Sequence, residues 1–227
     1  KRQIMRLIGT RALDTRLLSL FNDPEQKGDL PDLVFIEIGS AGKFFRPPVD
    51  SVGFLPLNER LQSSGWHERI VQSRFAPYTK KKVIFGVPID IHPVAMCYRK
   101  DLWDEAGIDL EAVQTWREFH EVGLKFQEYW RGRNHPNRAA IALQSTGADD
   151  LVMMLLQRGV NVIDQDNTVH FMDPRVVQTL QIYQQMTVGA RQISTEFTPG
   201  MPGTVGDLTR GDVGACFAAD WMINYLR

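Results

Sequence analysis

Two cysteines in 227 residues, Cys97 and Cys216, are too few for a disulfide-built scaffold, and no spacing between them and other donors would hold a metal. Structural zinc is excluded on that ground. Each cysteine sits in an apolar, strand-like stretch, and two fates stay open: buried free thiols, cysteine being among the most buried residue types, or a bridge between two strands. Charge of one sign is equally scarce. The 26 basic and 27 acidic residues nearly cancel, so there is no basic stripe to steer the chain to nucleic acid or anionic lipid. Partners are expected to be small and neutral or modestly charged. No apolar run approaches the about 20 residues that span a bilayer, so direct membrane insertion of this chain is not expected. Lys1 to Gly9 reads as a strand, not a signal sequence, and a missing leader says little about compartment because leaders are removed on export.

Catalytic patterns are also lacking. The histidines at 67, 92, 120, 135 and 170 are scattered, none in a metal-ligand spacing. There is no Gly-x-Ser-x-Gly elbow, and a thiol inside an apolar strand, as at Cys97, is inert. Gly39-Ser-Ala-Gly42 has neither the Gly-x-Gly-x-x-Gly spacing nor a Gly-Lys-Ser/Thr ending, and reads as a loop at the end of a strand. Asp149 and Asp150 are adjacent and point apart, so they read as a capped helix start and not as a glycosidase pair. No catalytic residue, catalytic metal or cofactor is assigned.

What is present is a core and an α/β rhythm. Hydrophobic residues make up 43% of the chain, enough for one large domain or two small lobes. Helical spacing over 11–21 leads into the apolar run Asp32 to Ile38, which reads as a parallel strand covered on both faces. Prolines 47, 48 and 56 exclude regular helix, 58–74 is short-helical, and strands follow at 82–88 and 94–98. A short helix ends at Gly107. Thr115-Trp-Arg-Glu118 fits a capping box opening a helix of about 15 residues. The second half continues with strand 139–143, helix 149–158, a hairpin-like pair around 164–167, helix 174–188, a loop at 198–206, short helix 207–210 and strand 213–218.

Polar groups interleaved with aromatics stand at the ends of these strands. Glu37 and Ser40 end the first buried strand, Asp90 and His92 follow the strand ending at Pro88, Gln144, Ser145 and Thr146 follow 139–143, and Asp220 and Trp221 follow the last. Planar polar side chains that bond hydroxyls, beside a ring that stacks on a pyranose, make a carbohydrate site.

The ordered set 31–35, Gly86-Val-Pro-Ile-Asp90, 94–109, Thr115-Trp-Arg-Glu-Phe119 and 208–215 with Asp220-Trp221 resembles family 1 extracellular solute-binding proteins of sugar-type ABC importers. The resemblance covers nearly the whole chain. It implies an α/β, two-lobed, type II periplasmic-binding-protein-like fold, here an incomplete fragment: a partial first lobe over 1–95, a first hinge crossing at 94–99, a second lobe over 100–213 and a return crossing over 214–227. Solute would bind between the lobes, lined by the strand-end groups above, and the closed form would dock on a membrane ABC permease. The location implied is periplasmic or extracytoplasmic, free or lipid-anchored in the full-length protein. Two other readings are carried beside it: an α/β enzyme acting on sugars, with Asp90 or Asp220 as acid or base, and a receptor for a non-sugar such as a polyamine.

Overall fold

The computed structural model describes residues 8–23, 30–160, 162–163, 168–197 and 203–225. Two compact units divide the chain, Lys1–Ile91 and His92–Arg227.

In the first unit, helix α1 (Thr10–Asn22) buries Leu17 and Leu20 at i, i+3, the spacing of one helix face. The run 32–37 is not the buried strand expected from its composition. It has no regular structure, with Leu33 77% and Phe35 68% exposed, and the chain enters helix α2 (Ile38–Phe44) directly. Apolar composition alone does not make a strand; its N–H and C=O groups need a neighbouring ladder, and no described strand lies beside 32–37. The stretch Gly39 to Gly42, expected as a loop, lies inside α2. Phe21, Phe44 and Phe54 meet edge to face, with ring centroids 4.9–6.1 Å apart. Helices α3 (Asn58–Ser63) and α4 (Trp66–Arg69) and a 3₁₀ turn at Gln72–Tyr78 answer to the expected short-helical stretch. The strand expected over 82–88 shrinks to a hairpin of β1 (Thr79–Lys80) and β2 (Val83–Ile84). Lys81 and Lys82 form its turn at φ 47° and 68°, and Asn58 clamps it by donating to the Lys82 carbonyl and accepting from the Ile84 N–H.

The second unit is built on a four-stranded sheet of order β3-β6-β4-β5, from β3 (Val94–Tyr98), β4 (Ile141–Leu143), β5 (Ser194–Glu196) and β6 (Ala215–Ala219). β3 and β6 are antiparallel, whereas β4 runs parallel to both β6 and β5. Helices α5 (Lys100–Glu105), α6 (Trp116–Arg131), α7 (Asp149–Gln157), α8 (Pro174–Thr187) and α9 (Thr204–Arg210) complete it. The capping box of α6 is present: Thr115 Oγ1 accepts from the Glu118 N–H, and Glu118 Oε2 accepts from the Thr115 N–H. Pro174 opens α8 with Asp173 as its cap, which accepts from Arg175 N. By contrast α7 has Ala148 at its N-cap position and no side-chain cap, so Asp149 and Asp150 are not the cap expected of them.

Side chains alternate across the sheet. Met96, Tyr98, Ala215 and Phe217 face the core of Trp103, Phe119, Phe126, Trp130, Met154 and Met186, in which Trp103 stacks on Phe126 at 4.2 Å. Cys97 and Cys216 face the other layer, with Ala142, Leu208 and Val213. Gly214 lets the aromatic core close: a Cβ there would lie 2.8 Å from Phe126 and 2.9 Å from Trp103 Nε1, and that indole N–H donates to the Gly214 carbonyl. β5 was not foreseen, being three residues long and polar in sequence. The expected strand over 3–8 lies largely, and the hairpin tip at 164–167 wholly, outside the described residues.

Candidate functional site

Because β6, β4 and β5 are parallel and β3 antiparallel, the ends of the first three and the start of β3 share one edge of the sheet. That edge is about 14 Å across at ordinary strand spacing. Five of the nine residues singled out by strand-end position, namely Gln144, Ser145, Thr146, Asp220 and Trp221, follow strands that end here, and His92 precedes the strand that starts here.

At the β3–β6 corner His92 Nδ1 lies 2.7 Å from Asp220 Oδ1, both side chains a little under half exposed. The same oxygen accepts from the Trp221 N–H at 2.8 Å. The chain turns there into a 3₁₀ segment, Asp220–Tyr225, whose Met222 is buried against Val205 and Ala218. Burying Met222 leaves Trp221 outside, 53% exposed, as the strand-end position implied. A tryptophan face open to solvent beside a carboxylate and an imidazole can stack on an apolar ring face and accept from hydroxyls.

At the β4–β5 corner the hydroxyls expected to meet ligand are already engaged. Ser145 donates to Glu196 from both its backbone N–H, at 3.0 Å, and its Oγ, and Thr146 Oγ1 donates at 3.4 Å. These bonds, Ser145's first, hold the Glu196 carboxyl below its usual range. Beneath them Asp150 Oδ2 accepts from the Gln144 N–H at 2.8 Å, and Tyr183 Oη donates to the Gln144 carbonyl. Burial pushes the Asp150 carboxyl up. The backbone of Gln144 is therefore fixed on both sides. Its amide arches over Gly147, where a Cβ would sit 1.7 Å from Oε1. Only a residue without Cβ fits beneath it in this pose. Glu196 and Tyr183 were not singled out in the sequence, and Asp150 was read only as part of a helix start; the first ends an unrecognised strand, and the other two lie within helices, where nothing marks them as supports.

In the first unit Asp90 is half exposed, with Arg74 Nη2 donating to its carbonyl at 3.0 Å and 3.7 Å from its carboxylate. Glu37 is exposed at the position preceding α2. Ser40 is buried and donates to Asp14 Oδ2 at 2.9 Å, the oxygen that also accepts from Lys43 Nζ at 2.7 Å. Among the described residues no three His, Cys, Asp or Glu gather as a metal site requires, and no helix is long and apolar enough to cross a membrane.

A model of the bacterial extracellular solute-binding protein family matches residues 25–227. An arabinooligosaccharide-binding protein of Halalkalibacterium halodurans is 26% identical over 173 residues, 75% of this chain and 35% of that protein. A lactose-binding protein of Rhizobium radiobacter is 24% identical over 195 residues, 85% of this chain and 43% of that protein. The chain thus spans well under half the length of these relatives. Among solved structures, UgpB of Mycobacterium tuberculosis in complex with glycerophosphocholine superposes with a TM-score of 0.67 at 17% identity, over 93% of this chain and 50% of that one. A solute-binding protein of Thermotoga lettingae bound with α-D-tagatose gives 0.66 at 19% identity, over 95% and 54%. These superpositions establish the α/β fold of about half of such a chain.

Proposed function

Since the chain belongs to the family of bacterial extracellular solute-binding proteins, we propose that the whole protein captures a carbohydrate outside the cytoplasm, in the periplasm or at the cell surface, and hands it to a membrane ABC permease. The observation that carries this reading is the edge of the second sheet: an exposed Trp221 beside the Asp220–His92 pair, with Gln144 and Glu196 across the same edge. Trp221 stacks on the sugar ring; Asp220 and Glu196 accept hydroxyl hydrogen bonds; Gln144 donates or accepts. Glu37 and Asp90 are the contributions we assign to the first lobe, with 94–99 and 214–227 as crossings between lobes. The relatives named for arabinooligosaccharides and lactose favour a sugar over a polyamine, and binding without turnover is the activity of the family.

The test is intrinsic fluorescence of the full-length protein titrated with arabino-oligosaccharides, lactose, polyol phosphates and polyamines. A saturable change with one sugar is expected, weakened about 5- to 150-fold in Trp221→Ala, the range of a central aromatic anchor. Unchanged affinity in that variant removes Trp221 from the site. Saturation by a polyamine alone discards the sugar. Recovery of a cleaved glycoside in place of intact ligand discards the receptor.

A further inference from the structure

We infer that Cys97 and Cys216 form a reversible covalent staple between β3 and β6, closed by thiol–disulfide exchange with a small-molecule disulfide. The two residues are direct partners in the antiparallel register, their side chains pack together on one face, and both are free thiols in this structure. The ladder defines the kind of pair they make. Arg99 N donates to the Gly214 carbonyl, and Asp220 N to that of Pro93. Counting by twos between these bonds puts Cys97 and Cys216 at a hydrogen-bonded position, where opposed Cα atoms stand about 5.5 Å apart, inside the about 4.4–6.8 Å that a disulfide spans. Cys97 is partly exposed and Cys216 fully buried, which orders the steps.

The Cys97 thiolate attacks one sulfur of the incoming disulfide, giving a mixed disulfide and releasing one thiolate, which takes up a proton. Cys216 then gives its proton to solvent and attacks the Cys97 sulfur, expelling the second thiolate. In sum two protein thiols are oxidised and one small disulfide is reduced to two thiols. Burial holds both thiols above their usual range, Cys216 up to about 12, so exchange is slow at neutral pH and faster in mild base.

The experiment uses the folded full chain, reduced, freed of reductant, exposed to oxidised glutathione at about pH 8.5, alkylated and digested with trypsin without reduction. Peptides 83–99 and 211–227, each carrying one cysteine, should be recovered as one cross-linked species that separates on adding dithiothreitol. Cys97→Ser and Cys216→Ala should each abolish it. Both peptides recovered singly with alkylated thiols would overturn the staple, as would a cross-link found only in disulfide-linked dimers on a non-reducing gel.

Discussion

The two units solve the same packing problem with different means. Among the described residues the first has helices of 13, 7, 6 and 4 residues and strands of two, and its cores there are small: Leu61, Phe75 and Ile84 in one cluster, three phenylalanines in another. The second lays helices of 16 and 14 residues on a four-stranded sheet with a continuous aromatic core. Short elements bury little surface each, so order in the first unit leans on specific polar ties such as Asp14–Lys43–Ser40 and the Asn58 clamp. Order in the second leans on area.

The difference is broken most forcefully from the second unit. Phe126 is fully buried and stacked on Trp103, so Phe126→Ala should cost about 3–5 kcal/mol. Phe75→Ala should cost less, because a small cluster collapses more readily around the void. Denaturant unfolding followed by tryptophan fluorescence separates them, since Trp103, Trp116, Trp130 and Trp221 report on the second unit and only Trp66 on the first. Equal losses would show that the cores are energetically alike. Next in size is Gly214→Ala, whose methyl would collide with Phe126, Trp103 and the Ala140 carbonyl; a loss of about 1–3 kcal/mol is expected in the same assay.

Acid sharpens the contrast because two buried carboxylates respond with opposite sign. Hydrogen bonding from Lys43 holds Asp14 below its ordinary range, so its contribution is present above the usual carboxylate pKa and is lost as pH falls through the lowered one. Asp150 is raised by burial, so its contribution is fully present below the usual value and is lost as pH rises through the raised one. Stability of Asp14→Asn relative to the parent should therefore improve on going from pH 6 to 3, and that of Asp150→Asn should worsen. Parallel slopes for the two variants would contradict the assignment.

What could be read from the sequence divides along the same line. Strands β3, β4 and β6 and helices α5 to α8 carry local signals: apolar runs, a capping box, a proline at a helix start. The strand-end rule therefore gathered Gln144, Ser145, Thr146, Asp220 and Trp221 at one edge, whereas His92, expected after a strand ending at Pro88, reaches that edge because it precedes β3. Over 32–38 the same rule failed, since the apolar run had no ladder beside it, and Ser40 became a buried partner of Asp14. β5 and Glu196 escaped because a strand of Ser-Thr-Glu exists only through pairing with β4, a contact across about 50 residues. Non-local hydrogen bonding leaves no periodicity to read.

The smallest effect tests whether a local signal adds stability where area dominates. Thr115 caps α6 in a reciprocal box with Glu118, and all three amide bonds of the motif, including Gln114 N to Glu118, are exposed. Thr115→Ala removes one acceptor from the helix start and should cost about 1 kcal/mol. Hydrogen exchange offers the finer check: amides of the first turn of α6 should lose protection while those near Phe126 and Trp130 keep theirs, because the aromatic contacts hold the rest of the helix whether or not its end frays. Loss of protection along the whole helix would instead make the cap, and not the core, the feature on which α6 depends.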